Sequence, residues 1–180
     1  LNFGMPMGPL RLSDEVGIDV AHHVASFLTT HYKDRMPEPG ILNRMLEEGL
    51  LGRKSGAGFY AYQGKKSTIN PTTAHWTVSS EAHRLSSDDL LSRMVLLMIN
   101  EAARCLEEGV ADDPADIDFA MIMGTGFAPF RGGPLRYADS VGMDKLLKLF
   151  DRMTEQAGSR YEPCPLIETM AKNDESFYNQ

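Results

Sequence analysis

One short passage of this chain occurs twice. Residues 8–19 read GPLRLSDEVGID and residues 133–144 read GPLRYADSVGMD, so eight of twelve positions agree at an offset of 125. A spaced repeat constrains architecture more than any composition can, because each copy must build the same supersecondary piece. The residues that recur say which piece. Gly8-Pro9 and Gly133-Pro134 set a proline at a first helical position, where its missing N–H costs little and its fixed φ favours the helix. Short helices are expected over 9–16 and 134–141, ended by Gly17 and Gly142 as residues with positive φ. Asp19 and Asp144 then read as N-caps of the next helices, about 20–32 and 145–157. Each copy is thus a helix–Gly-x-Asp–helix corner.

The rest of the chain is read from these two corners. ILNRMLEEG (41–49) is a short helix stopped by Gly49, and GRKSGAGFYAY (52–62) is a glycine-rich loop leading to an extended piece. Residues 63–87 are polar, lack a long period and read as a linker. Ser87 is placed to cap the longest helix, about 88–108, in which Leu91, Val95, Met98, Ala102 and Cys105 recur at three- and four-residue steps. Asp113-Pro114 opens another helix, with Asp116 in its first turn and Gly124 at its end. No strand pattern exceeds a few residues. The fold expected is all-α: two tandem similar helical units, with the first truncated, since the second corner follows a long helical stretch and the first follows only LNF. The boundaries are 1–62 for the first unit, 63–87 for the linker and 88–180 for the second. The start at Leu1 suggests a piece of something longer.

Composition bears mainly on exclusions. A net charge of −7 at pH 7 argues against a broad nucleic-acid surface. No apolar run approaches the roughly 20 residues of a membrane-spanning helix. Cys105 and Cys164 have no metal spacing and no disulfide framework, which suits a reducing compartment.

Candidate sites read more simply as structure. His22 and His23 are neighbours on a helix and point about 100° apart, whereas paired metal ligands want i,i+3 or i,i+4 spacing. Asp112, Asp113, Asp116 and Asp118 lack the glycine and closing Glu of a calcium loop, and helix capping accounts for them. GRKSGAGFY could cradle a phosphate but lacks the spacing and the preceding strand; a tight turn is favoured. GTGFAPFRGGP (124–134) is no dinucleotide fingerprint for the same reasons, and its glycines suit close helix–loop approach or the lining of a ligand cleft. Met94, Met98, Met121, Met123 and Met153 read as adaptable core fillers. No catalytic set and no metal site is visible.

Taken together, GMPMGPLRLSDEVGID and NEAARCLEEGVADDPADIDFAMIMGTGFAPFRGGPLRYADSVGMD resemble the two C-terminal helical units of 3-hydroxyacyl-CoA dehydrogenases. The two-unit form is similar to that of the multifunctional fatty-acid β-oxidation enzymes. GRKSGAGFYAY resembles the closing segment of the family's first unit. A 6-phosphogluconate-dehydrogenase-type helical domain shares the architecture but matches the duplicated corner poorly. The resemblance implies NAD-dependent oxidation of a (3S)-3-hydroxyacyl-CoA within fatty-acid β-oxidation, by a His base oriented by a Glu. NAD is expected on an upstream Rossmann domain, and no residue here matches the base, its Glu or the nucleotide site. The family's substrate-fixing Asn-Arg step reads Ser92-Arg93 in the second unit. Carry-over names Met123 and Phe127 as substrate-binding, with no catalytic, cofactor or metal residue. The expected role is a substrate-side and assembly module, inactive alone; the alternative is a non-catalytic module docking other β-oxidation subunits. Implied partners are an acyl-CoA, a thiolase subunit and a homodimer mate. The implied location is cytoplasmic, or the mitochondrial matrix in a eukaryote. Val24, Phe27 and Leu28 on helix 20–32 are expected to be left bare.

Overall fold

The computed structural model describes residues 3–32, 35–76 and 85–178. These form two compact units: one spans 7–76 and the other 85–178 together with residues 3–6. We call them the first and second unit. Helices α1 (Pro9–Val16), α2 (Ile18–Tyr32) and α3 (Gly40–Glu47) open the first unit. A 3₁₀ turn at Arg53–Ser55 leads to a hairpin, β1 (Tyr60–Gln63) and β2 (Lys66–Ile69), and to the one-turn helix α4 (Pro71–Ala74). The hairpin is antiparallel, with Tyr60 opposite Ile69 and Gln63 opposite Lys66. The second unit contains α5 (Ser87–Glu107), α6 (Pro114–Thr125), α7 (Pro134–Val141), α8 (Met143–Ala157) and α9 (Pro165–Asn173). The all-α expectation is met, with the hairpin as the one extended insert among the described residues.

Both corners form as their sequence requires. The helices α1 and α7 run from the proline to the valine that precedes glycine. Gly17 (φ 106°, ψ 130°) and Gly142 (φ 87°, ψ 136°) then turn the chain into α2 and α8. That region of φ/ψ space is open to glycine alone, which is why glycine recurs there. The capping expectation needs correction. α2 begins at Ile18 and α8 at Met143, with Gly142 itself at the N-cap, so Asp19 and Asp144 lie in the first turn. Their carboxylates face the positive end of the helix dipole, and Asp19 also pairs with Lys54 at 2.5 Å. This hydrogen bond from Lys54 holds the Asp19 carboxyl below its ordinary value. Three further boundaries shift. Ser86 caps α5 by accepting from the Asp89 amide at 3.0 Å. Gly126, not Gly124, ends α6 in the left-handed region. The stretch expected as a linker takes in the end of β1, all of β2 and α4, which belong to the first unit; its residues 77–84 lie outside the described residues.

The two cores differ in kind. In α5 the buried apolar side chains are Val95, Leu96, Ile99, Ala102 and Ala103; Val95 and Ala102 belong to the expected stripe, while Leu91, Met98 and Cys105 are only partly covered, so the buried face is rotated by about a quarter of a turn. Met143, Leu146, Phe150 and Met153 of α8 face them, joined by Leu135 and Ala138 of α7 and Ile167 and Met170 of α9. Each large side chain enclosed there contributes roughly 1.5–3 kcal/mol. The first unit has just Ile18 and Met45 as fully buried apolar side chains among its described residues. Its interior is otherwise polar: Asp14, Asn70 and Thr73.

Candidate functional site: the duplicated carboxylate corner

The buried polar groups make one repeated device. Asp14, 1% exposed, sits on α1 and receives the Phe59 and Tyr60 amides, each at 2.9 Å, and the Tyr62 hydroxyl at 2.9 Å. Asp139, its counterpart on α7, receives the Phe177 and Tyr178 amides at 2.9 Å. The same Phe-Tyr pair therefore locks onto the same Asp in both units. The arginine three residues earlier stacks on the lock's tyrosine: Arg11 lies 4.3 Å from the Tyr60 ring centre and Arg136 lies 3.5 Å from that of Tyr178, a cation–π contact. The second lock lies in the last described residues of the chain, where the sequence reading saw no motif. A signal was there: SFYNQ at the end echoes GFYAY before the hairpin.

The glycine-rich stretch of the first unit serves this lock rather than a phosphate. A methyl group at Gly52 would collide with the Asp14 backbone, and one at Gly58 with its carboxylate. Asn70 fastens the hairpin, donating to the Gly58 carbonyl at 2.7 Å and accepting from the Thr72 amide at 3.1 Å.

The second unit adds a second carboxylate. Asp118 of α6, 2% exposed, accepts the Leu135 and Arg136 amides at 2.8 Å, two of the free N–H groups that open α7. It also accepts the Tyr178 hydroxyl at 2.7 Å. Such charge-assisted bonds at a helix start satisfy donors that would otherwise be buried without partners. Gly133 leaves no room for a side chain, because Asp118 occupies that space. Burial, then the hydrogen bond to Asp118, pushes the Tyr178 phenol well up; the same causes, with Asp14 as acceptor, push Tyr62 to about 12. Both phenols are therefore fixed donors at neutral pH, not proton-transfer groups.

The chemistry of the set is structural. The oxygens of Asp14 and Asp118 are occupied by three donors each, which leaves neither poised to take a proton from a substrate. His22 bonds to Asn43, His31 to the Phe27 carbonyl and His75 to the Pro71 carbonyl, so none of the three has an orienting carboxylate. No cluster of three or more His, Cys, Asp or Glu suited to a metal occurs among the described residues. Neither Cys105 nor Cys164 is disulfide-bonded, and burial pushes the Cys164 thiol up.

Beside the second corner lies an open cleft of about 440 Å³, lined by Phe130, Arg131, Arg136, Tyr137, Ser140 and Tyr178. Its arginines are already engaged. Arg131 donates to the Phe3 carbonyl at 2.8 Å and lies over the rings of Phe3 and Tyr137, while Arg136 stacks on Tyr178. The two residues expected at a substrate face part company. Phe127 is fully enclosed, edge-on to Phe3 with ring centres 5.4 Å apart; it packs the core and offers no ligand surface. Met123 is 70% exposed on α6, one turn beyond Phe119 at 65%. Met123 and the 40%-exposed Met94 are thus surface residues rather than the core fillers expected, while Met153 is enclosed.

These corners have a known setting. The family model for the 3-hydroxyacyl-CoA dehydrogenase C-terminal domain matches residues 1–62 and 90–177, one stretch for each corner. The chain belongs to that family. It is 39% identical over 178 residues to the fatty acid oxidation complex subunit alpha of Vibrio parahaemolyticus, and 37% identical over 184 residues to that of a Shewanella species. These alignments take in 99% of this chain but 25% and 26% of the relatives, so it spans about a quarter of their length. Among solved structures, the dehydrogenase part of multifunctional enzyme 1 from C. elegans matches with a TM-score of 0.66 at 29% identity, over 93% of this chain and 39% of that one. A 3-hydroxybutyryl-CoA dehydrogenase from Escherichia coli K12 shares the fold, with a TM-score of 0.73 at 22% identity over 95% of this chain and 52% of that one.

Proposed function

We propose that the chain is the substrate-side and assembly module of a longer NAD-dependent (3S)-3-hydroxyacyl-CoA dehydrogenase of fatty-acid β-oxidation. The observation that carries this reading is the family match over both copies of the corner. NAD does not fit the residues present: the described strands are one antiparallel hairpin, whereas a dinucleotide needs a parallel strand, a glycine turn and a helix N-terminus. In this reading the nucleotide and the general base belong to other parts of the polypeptide. What these residues supply is a scaffold held rigid by buried carboxylates, and an apolar surface at Met123 and Phe119 suited to an acyl chain. Rigid support of this kind keeps a substrate within the sub-ångström tolerance of the chemistry.

The test is direct. The pure 180-residue chain, mixed with NAD and 3-hydroxybutyryl-CoA, should give no NADH absorbance above a blank, whereas the longer polypeptide should. Turnover by the 180 residues alone would overturn the assignment of the base and the nucleotide site to other segments. The docking-module alternative has one observation in its favour, the uncovered apolar side chains of α1 and α2. It predicts co-purification with a thiolase subunit and no dehydrogenase activity even in the longer polypeptide.

A further inference from the structure

The two corners differ in how their charges are matched. At the first, the Arg11 guanidinium lies over the Tyr60 ring and donates to the Ser67 hydroxyl at 2.8 Å. Glu15, near the end of α1, pairs with Arg53 at 2.6 Å. The second corner keeps the arginine as Arg136 but has Ser140 in place of Glu15 and, at the same offset, Arg131 in place of Pro6. A carboxylate is lost there and a cation gained. Stacking on a ring uses the face of a guanidinium and leaves its N–H edge available. Arg136 lies over Tyr178, and its side-chain N–H groups have no acceptor among the described residues. Arg131 gives its Nε–H to the Phe3 carbonyl, and its Nη groups have no acceptor there either. Both arginines line the cleft of about 440 Å³, together with Ser140, one turn beyond Arg136 on α7, and Phe130, 74% exposed. Asp139, the carboxylate among the lining residues, has its oxygens on the Phe177 and Tyr178 amides.

We propose that this cleft is a binding site for a phosphate monoester that carries a flat ring, of which a nucleoside monophosphate is the simplest case. The phosphate lies between the N–H edges of Arg131 and Arg136. Ser140, whose hydroxyl donates to the Tyr137 carbonyl at 2.7 Å, turns to donate to it as well. The ring of the ligand lies against the exposed face of Phe130. Guanidinium forks match phosphate oxygens in geometry and keep their charge at any physiological pH. A phosphate monoester carries about two negative charges at neutral pH, one for each arginine. An exposed aromatic face stacks a nucleobase of any kind. The first corner supplies the precedent, since there an anion at the register of Ser140, the Glu15 carboxylate, is held by an arginine of the same unit. The second corner keeps the cations and takes its anion from a ligand. The site is independent of the dehydrogenase reading and goes beyond it.

Titration of the isotope-labelled 180-residue chain with adenosine 5′-monophosphate, followed by NMR, tests this. Saturable shifts are expected at the Arg131 and Arg136 Nε–H groups, the Ser140 amide and the Phe130 ring. Adenosine, which lacks the phosphate, should bind roughly tenfold more weakly or worse. Inorganic phosphate should move the arginines and Ser140 and leave the Phe130 ring still. Ser140→Glu gives the second corner the carboxylate of the first, so it should occupy both arginines from within, weaken the nucleotide by roughly tenfold and leave the melting temperature unlowered. Arg136→Gln, at an exposed side chain, should weaken the nucleotide by a similar factor. Phe130→Ala should weaken the nucleotide severalfold and leave the binding of inorganic phosphate unchanged. The proposal is overturned by the absence of saturable arginine shifts up to about 20 mM nucleotide. Adenosine binding as tightly as its monophosphate overturns it too, as does undiminished nucleotide binding by either folded variant, Ser140→Glu or Arg136→Gln.

Discussion

Leu10 and Leu135 hold the same place in the repeated corner, yet one is half exposed and the other wholly enclosed. The difference extends outward from them. Around Leu135 the helices α5, α6 and α8 close a continuous apolar core. Around Leu10 the first unit relies on Ile18, Met45 and a web of hydrogen bonds onto Asp14 and Asn70. One sequence motif is thus stabilised by two different means. The corner itself is held by the local lock between an Asp and a Phe-Tyr pair, which needs only a short return of the chain. Burial of its apolar side needs helices that only the second copy has among the described residues. A small unit with little apolar interior depends more heavily on each buried polar contact, since an unmade one costs about 1–3 kcal/mol.

That comparison can be broken most sharply at Asp118. Asp118→Ala strands two amides and a phenol in the interior and should cost roughly 3–5 kcal/mol in the second unit, at the upper end of single-site effects. Urea unfolding followed by helix circular dichroism measures it; a loss below about 1 kcal/mol would show that the carboxylate is not what holds α6 to α7. The leucine pair comes next. Leu135→Ala should cost about 2–5 kcal/mol as a core truncation, and Leu10→Ala no more than about 0.5 kcal/mol in the 180-residue chain. Similar costs for both would mean that the two faces are equally covered in solution.

The locks themselves should differ by less. Asp14→Asn keeps the shape but turns an acceptor into a donor facing the Phe59 and Tyr60 amides, and a loss of about 2 kcal/mol is expected. Asp139→Asn, at a partly exposed site with fewer donors, should lose about 1 kcal/mol. The turn glycines sharpen the comparison on the backbone side. A Cβ at Gly142 meets no neighbour within 4 Å, so the cost of Gly142→Val, about 1–3 kcal/mol, is mainly φ/ψ strain. Gly17→Val adds a collision with the Asp19 carboxylate and Lys54 and should cost more.

The smallest effect is electrostatic. Because Lys54 lowers the folded-state value of Asp19 below that of the unfolded chain, its contribution is present above the ordinary carboxylate value and is lost as pH falls through the folded one. Asp19→Asn should therefore flatten the acid limb of the first unit's stability curve slightly, and added salt should do the same. Both changes are expected to lower the curve slightly and evenly above pH 6, where the contribution is fully present, and to leave it unmoved at pH values below the folded-state one.

Much of this was legible in the residues alone. Proline at the helix start and glycine at its end are backbone requirements, satisfied or violated within four residues, so both corners could be placed from the sequence. The heptad-like spacing in α5 gave the long helix, but its buried stripe is rotated by about a quarter of a turn, keeping Val95 and Ala102 while exchanging Leu91, Met98 and Cys105 for Leu96, Ile99 and Ala103. Which face is buried is settled by what packs against it, not by periodicity. Asp19 and Asp144 were expected as caps because Asp before an apolar run usually is one; the chain instead starts each helix two residues earlier, with glycine at the cap in α8. The helical units could be assigned to a family from motifs, whereas Met123 and Phe127 could not be told apart: adjacent turns of similar composition put one outside and the other in the core. Asp14, Asp118 and Asp139 were the residues the sequence concealed most. A carboxylate's role depends on which amides reach it, and those come from 17 to 46 positions away. Local sequence fixes dihedral angles; only the folded chain decides which distant donors meet an acceptor, and hence which charges are structural.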